Sequence, residues 1–256
     1  MNEFECIPAI DLKAGKCVRL QEGAADRATE YGDDPAAMAR RWEEEGASRL
    51  HLVDLDGAFS GDSAHRAVAC RIFRELRIPV QFGGGLRTLE HVSTILDSGA
   101  DRAILGTAAA ENPGMVAEAC RRWPGRIVAG IDARRGKVAL RGWVQQTSVG
   151  VVDLARRLRG CGVERIIYTD VARDGMFRGV NLDETAMLAR EAGLRVIASG
   201  GVSGHGDVRE VWERRSSGIE GVILGRALYE GRVNLGALIE MVREWGASAE
   251  GGSGGG

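Results

Sequence analysis

Short apolar runs alternate with amphipathic stretches along almost the whole chain. The apolar runs are Cys6–Ile10, Arg49–Val53, Val80–Phe82, Ala103–Leu105, Ile127–Ile131, Arg165–Tyr168, Val196–Ala198 and Gly221–Leu224. Between and after them, helical spacing recurs over Pro35–Glu45, His65–Leu76, Leu89–Ser98, Met115–Arg122, Val152–Leu158, Asp183–Glu191, Asp207–Arg215 and Leu235–Glu244. Runs that are apolar throughout, without an alternating polar face, suit strands of a parallel sheet covered on both sides. Eight strand–helix units predict an α/β chain folded as one (β/α)8 barrel over residues 1–246. Residues 247–256 end in Glu250-Gly-Gly-Ser-Gly-Gly-Gly256 and read as a flexible Gly/Ser-rich tail, an expression remnant outside the fold.

The pattern also repeats by halves. Ile7-Pro8-Ala9-Ile10-Asp11 answers Val128-Ala129-Gly130-Ile131-Asp132, an offset of 132 − 11 = 121. Val53-Asp54-Leu55-Asp56-Gly57 answers Thr169-Asp170 through Asp174-Gly175, with 170 − 54 = 116. Two glycine modules match at 201 − 85 = 116. One is Gly83-Gly84-Gly85-Leu86-Arg87 with Gly106-Thr107, the other Ser199-Gly200-Gly201 with Gly225-Arg226. Glycine lets a backbone approach a ligand closely, and a strand leading into a helix N-terminus favours an anion. The repeat therefore predicts a duplicated half-barrel with one phosphate grip built twice.

Composition narrows the class. With 44% hydrophobic and 27% charged residues the chain has the make-up of a globular protein, and a formal charge of −2 argues against a nucleic-acid surface. Five scattered cysteines without a CxxC pair predict reduced thiols, and four histidines show no metal-ligand spacing. No apolar run approaches a membrane span, and Glu3 and Glu5 break any signal-like start. A cytoplasmic protein with neither cofactor nor metal is expected.

In such a barrel the C-terminal strand ends form the active face, which places Asp11, Asp54, Asp132, Thr169 and Asp170 there. Asp54 and Asp170 are equally readable as caps of the following loops. Asp11 and Asp132 hold equivalent positions in the two halves. Two carboxylates facing one cavity can act as acid and base if their environments separate their pKa values. His51, between Leu50 and Leu52, reads as a hydrogen-bonded barrel histidine. Trp143 lies in a polar stretch, where it either stacks on a ligand or packs on the rim.

These segments, together with Gly15-Lys16-Cys17-Val18-Arg19-Leu20, His51 through Ala58, Arg141-Gly142-Trp143 and Tyr168-Thr169-Asp170, resemble the histidine-pathway isomerase family HisA over nearly the whole chain. The related cyclase subunit HisF shares the repeat, but it has Cys where this chain has Ala9. The resemblance implies an Amadori rearrangement of a phosphoribosyl aminoaldose that carries a phosphate at each end. It implies Asp11 as base at the sugar C2′, Asp132 as the acid opening the ribose ring, and Thr169 beside them. It further implies contacts to substrate and phosphates from Arg19, Gly84, Gly85, Arg87, Gly106, Thr107, Arg141, Trp143, Asp174, Gly175, Gly200, Gly201, Gly225 and Arg226. A monomer with only a small-molecule substrate as partner is expected. The chain departs from the family pattern at Met176, where Asp-Gly-Thr is usual. Gly83, where the bifunctional PriA relatives have serine, predicts no second, tryptophan-pathway activity. The alternatives are a bifunctional enzyme that also isomerises phosphoribosylanthranilate, and a non-catalytic or engineered phosphosugar-binding barrel.

Overall fold

The structure, a computed structural model, describes residues 4–21, 24–60 and 65–251. Twelve strands form one sheet among the described residues. In chain order they are β1 (Glu5–Lys13), β2 (Lys16–Gln21), β3 (Ala24–Gly32), β4 (Leu50–Asp54), β5 (Val80–Gly83), β6 (Arg102–Leu105), β7 (Ile127–Arg134), β8 (Lys137–Leu140), β9 (Gln145–Gly150), β10 (Arg165–Asp170), β11 (Arg195–Ser199) and β12 (Ile219–Leu224). Eight of them, β1, β4, β5, β6, β7, β10, β11 and β12, pair in parallel, and β10 closes on β7. The closed parallel barrel predicted from the apolar runs is present, with one strand at each predicted position.

The other four strands are two antiparallel hairpins that the sequence reading did not foresee. β2 and β3 extend β1, and β8 and β9 extend β7. They occupy matching places in the two halves, at the mouth after the first and fifth barrel strands.

The helices are α1 (Pro35–Glu44), α2 (Leu55–Ser60), α3 (Arg66–Glu75), α4 (Leu89–Asp97), α5 (Thr107–Glu111), α6 (Pro113–Arg122), α7 (Val151–Gly160), α8 (Leu182–Ala192), α9 (His205–Glu213), α10 (Arg226–Tyr229) and α11 (Leu235–Gly251). Several starts are fixed locally. Asp34 accepts hydrogen bonds from the Ala36 and Ala37 N–H groups with Pro35 as the first residue of α1, and Asn112 caps α6 ahead of Pro113. Helix α11 continues seven residues beyond Glu244, where the sequence reading ended it, into the expected tail; residues 252–256 lie outside the described residues. No helix among the described residues is long and apolar enough to cross a membrane.

Two apolar cores result. The larger lies between strands and helices, where Trp42, Phe82, Leu50 and Tyr168 are buried. The smaller fills the barrel's interior with Ile7, Ala9, Ile104, Val128, Ile167, Ile197 and Ile223. That plug separates a mouth at the strands' C-terminal ends from a floor at their N-terminal ends. Among these side chains His51 and Gln81 are paired through Nδ1 and Nε2 at 3.0 Å, and burial, then Arg19, push the imidazole down to about 3. His51 is thus the neutral, hydrogen-bonded barrel histidine expected from its flanking leucines.

Candidate active site

At the mouth lies a cavity of about 240 Å³ whose wall includes all seventeen candidate site residues, from Asp11 to Arg226. Its chemistry is set by three carboxylates. Asp11 and Asp132 arrive on β1 and β7, one on each side of the barrel. Asp174 comes from the loop after β10.

The halves place Asp11 and Asp132 alike and then treat them differently. Asp11 is paired across the hairpin with Val18, and the next residue, Arg19, donates from Nη1 to its carboxylate at 2.7 Å. Asp132 is paired with Ala139, and the next residue there is Leu140, so no cation arrives. The Trp143 indole and the Thr169 hydroxyl are instead the neutral donors that act on the Asp132 carboxyl. Thr169 sits directly opposite Asp132 in the β7–β10 register. Burial raises both carboxyls above their ordinary range. Arg19 opposes that at Asp11, by charge and hydrogen bond, while only neutral donors oppose it at Asp132.

Asp174 is displaced in the same direction. Burial pushes its carboxyl up to about 7; Arg19 pulls downward, while Asp11 and Asp132 add like-charge repulsion. The sequence reading listed Asp174 only as a binding residue, because the approach of three carboxylates from distant segments is a property of the closed barrel. Its counterpart in the repeat, Asp56, had a different fate. Burial works upward there too, but the Ala14 N–H at 2.7 Å and His65 leave it below the ordinary range.

Arg19 is itself held on all sides. It donates to the Ala9 carbonyl, lies 5.3 Å from the Tyr229 ring centroid, and passes close beside Gly225. Its buried Nε has no hydrogen-bond partner.

The two glycine modules reach the mouth as the repeat predicts. Gly106 and Gly225 precede α5 and α10 with nearly equal dihedrals, φ −93°, ψ −102° and φ −106°, ψ −118°. Their glycines answer to different constraints, however. A Cβ on Gly84 would fall 2.1 Å from the Asp54 carbonyl oxygen, and one on Gly201 would fall 2.2 Å from the Gly179 carbonyl oxygen, both at positive φ. Backbone packing therefore demands glycine at these two positions whether or not a ligand binds. Around Gly106 a Cβ would meet nothing within 4 Å.

Asp54 and Asp170 serve the loops. Asp54 accepts from the Gly57 and His65 N–H groups, and Asp170 from the Ala172 N–H and the Asn181 amide. Asp54, Asp56 and His65 bring possible ligand atoms within 4.8 Å of one another, a grouping invisible in the linear spacing, but these same hydrogen bonds already engage them.

The mouth loops are fastened across the cavity. Arg141 donates its backbone N–H to the Thr107 hydroxyl at 2.9 Å and its guanidinium to Glu111 at 3.3 Å, so the β8–β9 turn docks on α5. Arg141 and Trp143 both hold positive φ, 56° and 71°, and Gly142 between them lies against Phe59. Arg87 is exposed at the rim. On the opposite side Arg226 donates from Nη1 to the Gly175 carbonyl at 2.8 Å. The Phe177 ring lies 4.8 Å from the Arg226 guanidinium and 4.0 Å from that of Arg232. Phe177 was not among the predicted site residues; only its place beside Asp174-Gly175 could have pointed to it.

The family described as histidine biosynthesis protein matches residues 5–234. The chain belongs to that family. It is 50% identical over 241 residues to a curated relative from Geobacter sulfurreducens, covering 94% of this chain and 99% of the relative. A relative from Rhizobium meliloti is 49% identical over 237 residues (93% and 96%), and one from Thiobacillus denitrificans is 53% identical over 232 (89% and 92%). Each of the three is named 1-(5-phosphoribosyl)-5-((5-phosphoribosylamino)methylideneamino) imidazole-4-carboxamide isomerase. The histidine biosynthesis family match spans both half-barrels, so both matched carboxylates and both glycine modules lie inside it.

Proposed function

We propose that this chain is an aldose–ketose isomerase of histidine biosynthesis. It converts the phosphoribosylformimino aminoimidazole carboxamide ribotide to its phosphoribulosyl isomer by an Amadori rearrangement. The observation that carries the reading is the set of three carboxylates in unlike environments, facing one cavity between two matched glycine modules. The names of relatives that align over nine-tenths of the chain agree with it.

The reaction needs a proton delivered to the ribose ring oxygen as the ring opens, and another removed from C2′. Asp11, held beside Arg19, is the carboxyl best kept ionised and is the base. Asp132, with no cation beside it, is the acid that opens the ring. Asp174, pushed up to about 7, keeps a second exchangeable proton within the same cavity at neutral pH. The Thr169 hydroxyl and the Trp143 indole fix the Asp132 carboxylate. The glycine modules, with Arg87 and Thr107 on one side and Arg226 on the other, receive the two terminal phosphates. The chemistry is proton transfer alone, so on this reading no cofactor is required, and a single cytoplasmic chain suffices because one chain supplies every candidate residue.

The deciding experiment is a direct isomerase assay on the purified protein, paired with complementation of a histidine auxotroph that lacks this step. Turnover of the aminoaldose supports the reading. Tight substrate binding with no product would establish the non-catalytic alternative. Rescue of a tryptophan auxotroph lacking phosphoribosylanthranilate isomerase is not expected.

A further inference from the structure

The floor of the barrel holds a second cavity, of about 260 Å³, remote from the carboxylates. Its mouth is marked by Gly46, Ser48 and Arg243, all exposed, and its depth by Glu5, Arg102, Arg165 and Glu220. These are the inward-facing residues at the N-terminal ends of β1, β6, β10 and β12, below the aliphatic plug. Three arginines and two glutamates line the space.

The glutamates are already engaged. Glu220 receives two hydrogen bonds from Arg165, the Nη2 contact measuring 3.0 Å, and Glu5 receives the Arg49 Nε at 3.2 and 3.3 Å. Asp101, at the edge of the floor, takes Arg49 Nη1. Arg102 is left with the remainder. Its nearest carboxylates stand 3.9 Å away at Glu5 and 3.6 Å away at Asp101, both too far for a hydrogen bond. Its buried Nη1 has no hydrogen-bond partner. Burial, then Arg49 and Arg165, push the guanidinium down to about 10, against the pull of Glu5 and Asp101. A buried cation short of partners is costly, and an oxyanion placed against it would offset that cost with charge-assisted bonds. Cys6 also borders the cavity, but burial pushes its thiol up to about 12, so it presents no negative charge.

We propose that the floor cavity is a binding site for a small oxyanion, a phosphate or carboxylate group, held by Arg102 with Arg165 and entered past Ser48 and Arg243. Such a ligand binds only the folded barrel and so stabilises it by mass action, at the end opposite to the chemistry.

The test uses selenate as a heavy phosphate mimic in crystals of the whole chain, with malonate in a parallel set. Anomalous density within hydrogen-bond distance of Arg102 Nη1 supports the proposal. It should vanish in Arg102→Met while any selenate at the mouth remains. Malonate density there in place of selenate would assign the site to carboxylates. An empty floor in both sets, at concentrations that fill the mouth modules, overturns the proposal. In solution, inorganic phosphate should raise the melting temperature of wild type more than that of Arg102→Met, with the isomerase rate unchanged between them. Equal shifts would count against the site, and the crystal measurement on wild type stands even if the variant does not fold.

Discussion

At the scale of single residues, the site works by giving like groups unlike surroundings. Asp11→Asn and Asp132→Val should each lower kcat by about 10²–10⁴, the usual worth of a general acid or base, with KM little changed. Retention of a tenth of the wild-type rate by either variant would remove that residue from the chemistry. Asp174 offers a separate readout in stability. Its folded pKa lies near 7, above the ordinary 3.8, so between about pH 4 and 7 the folded state binds more protons than the unfolded chain. Raising the pH through that window therefore weakens the fold, by up to about 1.4 kcal/mol per pH unit from this one group. Asp174→Asn should flatten the fall in denaturant midpoint from pH 4 to 7, and an unchanged slope would show that the group titrates normally. Trp143→Phe keeps the ring and removes the indole N–H, so the Asp132 carboxylate loses a donor that favours its charged form. The alkaline limb of the kcat profile, which reports loss of the Asp132 proton, should move to higher pH, whereas a Trp143 that only packs on the rim would leave that limb in place.

At the scale of elements, the two glycine modules can be tested where packing does not interfere. Gly84 and Gly201 are poor probes, because a side chain there meets backbone oxygen and the fold suffers first. Gly106 lines the cavity, and the methyl of Gly106→Ala would meet nothing within 4 Å. It should raise KM about tenfold, equivalent to ~1.4 kcal/mol, measured on protein that remains folded. An unaltered KM would move the phosphate elsewhere. The loop that carries Asp174 is fastened by Phe177 against two guanidiniums, contacts worth about 0.5–2 kcal/mol each. Phe177→Leu should loosen that loop and lower kcat more than it raises KM. The eight barrel strands were legible because each is buried on both faces and so is written as an unbroken apolar run. The hairpins were not: β9 is Gln-Gln-Thr-Ser-Val-Gly, mostly exposed, with neither a continuous run nor a clean alternation. For the same reason Arg141 and Thr107 were each foreseen at the site, but their hydrogen bond was not, since it depends on where an exposed turn lands. Asp11 and Asp132 were visible as a repeated strand end. The distinction between them rests on Arg19 facing Leu140 across the pseudo-twofold, and a side chain's direction on a hairpin cannot be read before the hairpin is known.

At the scale of the whole molecule, the barrel carries two matched glycine modules, proposed above as phosphate receptors, and only one arrangement of acids between them. A substrate with a phosphate at each end can therefore settle in two directions, head to tail or reversed, and the glycine modules have little means of telling them apart. In the reversed complex Arg19 and Asp11 face the wrong ribose and nothing reacts. Non-productive complexes of this kind depress kcat and KM by the same factor and leave kcat/KM untouched. The near-twofold symmetry thus sets a ceiling on turnover at saturation while costing the enzyme nothing at low substrate.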